Sequence, residues 1–270
     1  MISRPILFVL MTGALAGCGG TAAPVRTLQF AARVGEQTFA CGQSFTGLGT
    51  TGTTYEPRDL RFYVHDVRLI DEGGAETAVQ LEEDGAFQGQ GVGLLDFEDK
   101  SGACSNGTTQ THMALTFTAP DRDWKGLRFR VGIPEALNHG DASIAKSPLN
   151  LTSMFWGWQG GYKFIRLDGR STGLSTGHNF HFGSTGCAGS PVVCSSPNQF
   201  EVSFDAFDLD TQQVVFDVKA LFEGSDLDSN AASTPPGCQS ATNADPDCGP
   251  LFERLGLSGG PQTVFRKEAR

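Results

Sequence analysis

No Cys-x-x-Cys-His occurs in these 270 residues, so the chain carries no c-type haem of its own, and neither His-Glu-x-x-His nor a Walker loop is present. Basic residues are outnumbered, 20 Lys and Arg against 30 Asp and Glu for a formal charge of -10, which disfavours nucleic acid or anionic lipid as a partner. Sustained helical periodicity is missing as well, beyond a possible turn at residues 134–138. Histidine and tryptophan are scarce, five and three, so each one can be weighed individually.

What is present begins with a secretion signal. Arg4 precedes an apolar run at residues 5–16, too short to span a bilayer. It ends in Leu15-Ala16-Gly17-Cys18, which resembles the lipobox cut by lipoprotein signal peptidase. Residues 1–17 are therefore expected to be removed and Cys18 to be lipidated, leaving 18–27 as a tether and a mature charge of about -11. The expected location is periplasmic or on the cell surface, held to a membrane by lipid alone. Six cysteines remain, an even number that implies disulfides in an exported protein. Proximity favours Cys187 with Cys194 and Cys238 with Cys248, leaving Cys41 with Cys104, although six cysteines allow about fifteen pairings.

Apolar or alternating runs at residues 28–34, 60–70, 92–97, 113–117, 127–133, 162–167, 179–182, 200–207 and 214–222 are separated by Gly, Asn, Asp and Ser clusters. This predicts an all-β fold, an antiparallel β-sandwich with long disulfide-stapled loops, over residues 28–224. Residues 225–270 read as a loop-rich, disulfide-stapled extension ending in a polar tail at 266–270.

Two Gly-x-Ser-x-Gly matches, around Ser171 and Ser175, lack the helix a nucleophile elbow requires, so the chain reads as a binding protein, not an enzyme. His65 falls by period two on the face of Tyr63, Val67 and Leu69, and His181 opposite Phe180 and Phe182. Two such strand histidines could meet at a sandwich edge and hold a metal; each could equally be a hydrogen-bonded, partly buried residue. His139 lies in a loop as a turn residue or a third ligand. If residues 154–163 are extended, Met154, Trp156 and Trp158 share one side, as core or, with Tyr162, as a sugar-stacking platform. Acidic groups at Asp96, Glu98 and Asp99, and at Asp205, Asp208 and Asp210, would suit calcium without EF-hand spacing.

Taken together, several segments resemble the MbnP-like family, the four-Cys-motif protein of the metallo-mystery pair system. They are Cys41-Gly42, Asp59-Leu60-Arg61-Phe62-Tyr63-Val64-His65-Asp66-Val67, Leu95-Asp96-Phe97-Glu98-Asp99, Leu137-Asn138-His139, Pro148-Leu149-Asn150, the run from Met154 to Phe164, and the run from His181 to Cys187. Cys41, Cys104, Cys187 and Cys194 match the family's four cysteines, and Cys238 and Cys248 are additional. The resemblance implies a copper-binding protein, with Cu(I) the expected ion, paired with a di-haem partner of the MauG and cytochrome c peroxidase type. That partner would oxidise a tryptophan to kynurenine, which then takes part in copper binding. Disulfide sulfurs cannot serve as thiolates, so imidazole, thioether or a modified aromatic must hold the ion. His65 and His181 are the expected ligands by position, Trp156 or Trp158 the oxidisable group, and Met154 and His139 further candidates.

Overall fold

In the computed structural model, residues 23–241 and 245–270 are described. The signal segment and the first half of the tether, residues 18–22 with Cys18, lie outside them; Val25 to Thr27 already belong to the first strand, Val25–Val34. Along that strand Leu28, Phe30, Ala32 and Val34 are buried at every second position, as a half-covered strand requires.

Two sheets face each other. The smaller, six-stranded one runs in the order Phe265–Ala269, Gln212–Asp217, Val25–Val34, Ala114–Thr118, Gln80–Leu81, with Gln37–Thr38 added beside Val25–Val34. The larger, ten-stranded one has the spine Phe200–Phe204, Trp124–Val131, Thr53–Asp71, Ile165–Ser171, Asn179–Phe182, Gly237–Gln239. Phe62, at the middle of the long central strand Thr53–Asp71, points between the sheets and packs on Phe30, Phe97, Phe216 and Phe265. Among the described residues no helix is long and apolar enough to cross a membrane.

The all-β architecture stands, and all three expected disulfides are formed, Cys41–Cys104, Cys187–Cys194 and Cys238–Cys248. The sheets are mixed, however, not purely antiparallel: Val25–Val34 pairs parallel with Gln212–Asp217, and Asn179–Phe182 parallel with Gly237–Gln239. The predicted run at 214–222 breaks after Asp217, whose carboxylate accepts from Lys219 N and Ala220 N and so starts a short helix, Val218–Phe222. Nor is the end of the chain a polar tail. Phe265–Ala269 pairs along Gln212–Asp217 as an edge strand, and Gly237–Gln239 extends the other sheet, so the segment after residue 225 is built into both layers.

Candidate functional site

Opposite the core, the outer face of the larger sheet carries charge. Asp96, Arg61, Arg166, His181 and Gln239 stand in register across five adjacent strands, and Asp59 pairs with Asp168 in a neighbouring row. Side chains in register on one face are near neighbours, so these groups must answer one another. Asp59, fully buried, accepts from Arg61 Nε at 2.8 Å and from Arg61 Nη2, and lies 3.2 Å from Arg166 Nε. Arg166 also donates to Asp168 Oδ2 at 2.5 Å, and His181 Nε2 donates to Asp168 Oδ1 at 2.5 Å. A lid of loop 134–164 covers the face: Arg61 reaches Ser153 Oγ, while Arg166 and Lys163 both donate to Ser153 O at 2.8 Å, and Tyr63 donates to Pro148 O.

Burial sets the protonation of this network. It raises the Asp59 carboxyl despite two arginines, and raises Asp96 to about 7, with the Glu98 amide and Arg61 pulling the other way. At Asp168 burial also pushes upward, but the hydrogen bond and charge of His181, with Arg166, win and hold the carboxyl far below the usual range. Glu98, raised by burial too, keeps Oε2 enclosed without a partner. Because Asp96 binds its proton more tightly folded than unfolded, its contribution to stability is complete below pH ~4 and is lost as the pH rises through about 7. Asp96→Asn, which cannot ionise, should therefore be more stable than the parent at pH 8. That advantage should shrink on acidification by at most roughly 1.4 kcal/mol per pH unit. Denaturant melts at matched pH would read it, and parallel profiles for the two proteins would refute it.

The structure does not bring His65 and His181 together. In register terms His181 is level with Arg61, two strands across, and His65 lies four residues further along the central strand. Standard strand spacing and rise put their Cα atoms roughly 16 Å apart. Their partners differ as well: His65 Nε2 contacts Gln199 Oε1 at 2.9 Å, whereas His181 is held by Asp168 and Gln239. Burial lowers the His65 pKa, more than its contact with Gln199 can offset. The expected face of His65 is also corrected. Arg130 pairs with His65 but Arg128 with Arg68, an extra residue being accommodated near Asp66 at φ 50°, so His65 shares a side with Arg68 and not with Val67 and Leu69.

Residues 154–163 are not extended. Thr152–Met154 is a 3-10 turn, and Phe155–Gly157 folds back on Gly161–Tyr162. Gly161 at φ 74° is required here, since a side chain would strike the Asn138 amide, whose Oδ1 accepts from Tyr162 N at 2.9 Å. The fold-back scatters the predicted group. Met154 is wholly buried, Trp156 lies edge-on against Gly183, where a Cβ would meet its Cζ3 at 2.7 Å, and Trp158 is 58% exposed. Tyr162 is buried and donates to Leu149 O, so no three-ring stacking platform forms.

His139 is set differently. Its Nδ1 donates to Trp158 O at 2.8 Å, which turns Nε2 toward Cys194 Sγ at 3.4 Å, with Asn138 Nδ2 at 3.3 Å. Among the described residues His139, Cys187 and Cys194 form the one group of three or more such donors within 4.8 Å of one another. The acidic clusters use their oxygens locally instead: Asp208 Oδ1 accepts from Asp210 N and Thr211 N, and Asp99 Oδ1 from Ser101. Ser171 donates to Leu227 O at a strand end, and His178, its pKa lowered by burial, packs on Tyr55 and Phe222.

The MbnP family profile matches residues 23–240. The chain belongs to the MbnP family. Among solved structures it is similar to MbnP from Methylosinus trichosporium, at 28% identity and TM-score 0.79, over 92% of this chain and 99% of that one. No curated protein sequence matches. Charged residues at alternate positions of apolar strands, Asp59 and Arg61 or Arg166 and Asp168, were the signal for the buried row, and local pattern alone did not single it out.

Proposed function

We propose that this MbnP-family chain is an exported, lipid-anchored, non-enzymatic protein that binds copper as Cu(I), and that a di-haem cytochrome of the peroxidase type oxidises one of its tryptophans. What carries the reading is family membership over most of the chain, together with the fold shared with MbnP. Within the fold, His139 is the histidine whose setting suits a ligand. One nitrogen is spent on a backbone carbonyl, which fixes the tautomer and leaves the other as a lone-pair acceptor, met only by a long 3.3 Å contact from Asn138 Nδ2, an arrangement that resembles the one behind a metal-bound imidazole. His65 is held more closely, at 2.9 Å by Gln199, and both ring nitrogens of His181 are taken by Asp168 and Gln239. Neither belongs to a cluster of possible ligands among the described residues, and Met154 has no exposed surface.

The environment also separates the two tryptophans. Lys163 Nζ lies 5.9 Å from the Trp156 ring centroid, a cation that opposes withdrawal of an electron from that indole. Burial lowers the Lys163 pKa to about 8, so the ammonium remains largely charged at neutral pH. Trp158 stands at the surface, open to a docked oxidant, and its carbonyl already holds His139. Exposure to the di-haem partner and peroxide should therefore add an oxygen-derived mass to Trp158 and leave Trp156 unchanged, as fragment masses of the peptide bearing both would report. Modification of Trp156 alone would refute this assignment.

Copper titration of the mature, disulfide-intact protein tests the main reading. Binding should weaken roughly 10-fold or more in His139→Ala and persist in His65→Ala. Unaltered binding in His139→Ala would remove that residue, and absence of binding by the parent would remove the copper reading. A carbohydrate-binding or adhesion role, resting on Trp156, Trp158 and Tyr162 together, is disfavoured by the burial of Tyr162.

A further inference from the structure

The Cys187–Cys194 bridge staples a small ribbon, Thr185–Ala188 against Val193–Ser196, which forms a two-stranded sheet of its own outside the sandwich. The two half-cystines face each other in register, both only partly buried. In each of the other bridges at least one sulfur-bearing residue is deeply enclosed: Cys104 in one, and both Cys238 and Cys248 in the other. Attack on a disulfide depends on access, so a reductant meets the ribbon first.

We propose that this ribbon is a redox-gated metal site: once its disulfide is reduced, Cys187 and Cys194 join His139 in holding one thiophilic ion, Cu(I) or Zn2+. The reductant is a dithiol. Its thiolate attacks one ribbon sulfur and expels the other, giving a mixed disulfide, and its second thiol then attacks the reductant's own sulfur and displaces the ribbon sulfur first attacked. Two electrons and two protons pass to the ribbon, and the donor leaves as a disulfide. Metal entry then displaces the two thiol protons.

The geometry is already close to what such a site needs. In a tetrahedral site with bonds of 2.0 to 2.3 Å, nitrogen and sulfur ligands stand about 3.5 Å apart and two sulfurs about 3.8 Å. His139 Nε2 is 3.4 Å from Cys194 Sγ, so the nitrogen needs little movement, and breaking the bridge lets the sulfurs separate by side-chain rotation. Nδ1 remains bound to Trp158 O, the outer contact that orients a liganding imidazole. The ribbon does not depend on its disulfide for position. Thr185 Oγ1 donates to Ser240 O, Asn198 Nδ2 to Thr185 Oγ1 at 2.7 Å, and Gln159 Nε2 to Cys187 O at 3.2 Å. Three protein ligands leave a fourth position for water or a further ligand.

This inference stands apart from the copper reading above, which concerns the protein with its disulfides intact. The test is therefore run on reduced protein with a different ion. Full-length mature protein is treated anaerobically with a phosphine, which contributes no thiolate, and titrated with Co2+ while thiolate-to-cobalt absorption is followed. Reduced parent should bind one Co2+ per chain, and oxidised parent should show no such band. Cys187→Ser with Cys194→Ser should abolish the band, and His139→Ala, which retains the bridge and the fold, should weaken binding at least about tenfold. Mass mapping of native-state alkylation should find Cys187 and Cys194 labelled before the other four. A band surviving in the double serine variant, parent-like affinity in His139→Ala, no band in reduced parent, or first labelling at another bridge would each overturn the proposal.

Discussion

Replacing Asp59 by alanine should destabilise the fold by about 3–5 kcal/mol, as does removal of one partner from a buried ion pair. The carboxylate is fully enclosed and serves two arginines, so its loss strands the Arg61 guanidinium, itself 2% exposed, with Ser153 and the more distant Asp96 and Glu98. Arg166 suffers less, because it keeps Asp168. The cost should thus reside mainly in Arg61, and Asp59→Ala combined with Arg61→Met should recover much of it, the stranded charge being gone. Equilibrium unfolding in urea would measure all three proteins. A loss below about 1 kcal/mol for Asp59→Ala would mean that water solvates the row, contrary to its burial.

Phe265→Ala should cost about as much, roughly 3–5 kcal/mol, for a different reason. Its ring meets Phe62, Phe129 and Phe200 from the larger sheet and Phe216 from the smaller, with centroids 5.2–6.1 Å apart. Few positions bridge the layers so completely, and the cavity left behind would have aromatic walls that cannot all close in. Deleting residues 265–270 should be worse still, since Gln212–Asp217 would become a bare sheet edge with unpaired amides. Thermal or chemical unfolding would separate this outcome from a dispensable tail, for which both variants would match the parent.

The difference between these positions and the expected tail shows where local pattern stops being informative. Phe265–Ala269 offers one large apolar residue followed by the consecutive charges of Arg266, Lys267 and Glu268, too weak a signature to mark a strand, although its neighbours make it one. Helix-poor composition, turn clusters and even cysteines carried the all-β fold and the three bridges, because each depends on local chemistry. The parallel pairings and the separation of His65 from His181 depend instead on strand order, which no window of sequence contains. An intervening strand, Ile165–Ser171, keeps the two imidazoles from sharing an ion. His139 was legible as a candidate, whereas its orientation by Trp158 required the reversal at Gly161.

The parallel pairing of the first strand with Gln212–Asp217, and the antiparallel addition of the last, sends both ends of the described chain out at one pole of the smaller sheet. Arg270 N donates to Thr211 O at 3.0 Å, and Arg26 Nη1 lies 4.0 Å from Asp210 Oδ1. A short engineered linker would therefore splice the ends into a circular permutant. By the same geometry, a fluorophore placed after Arg270 would emerge beside Val25, at the pole of the smaller sheet that holds Thr211.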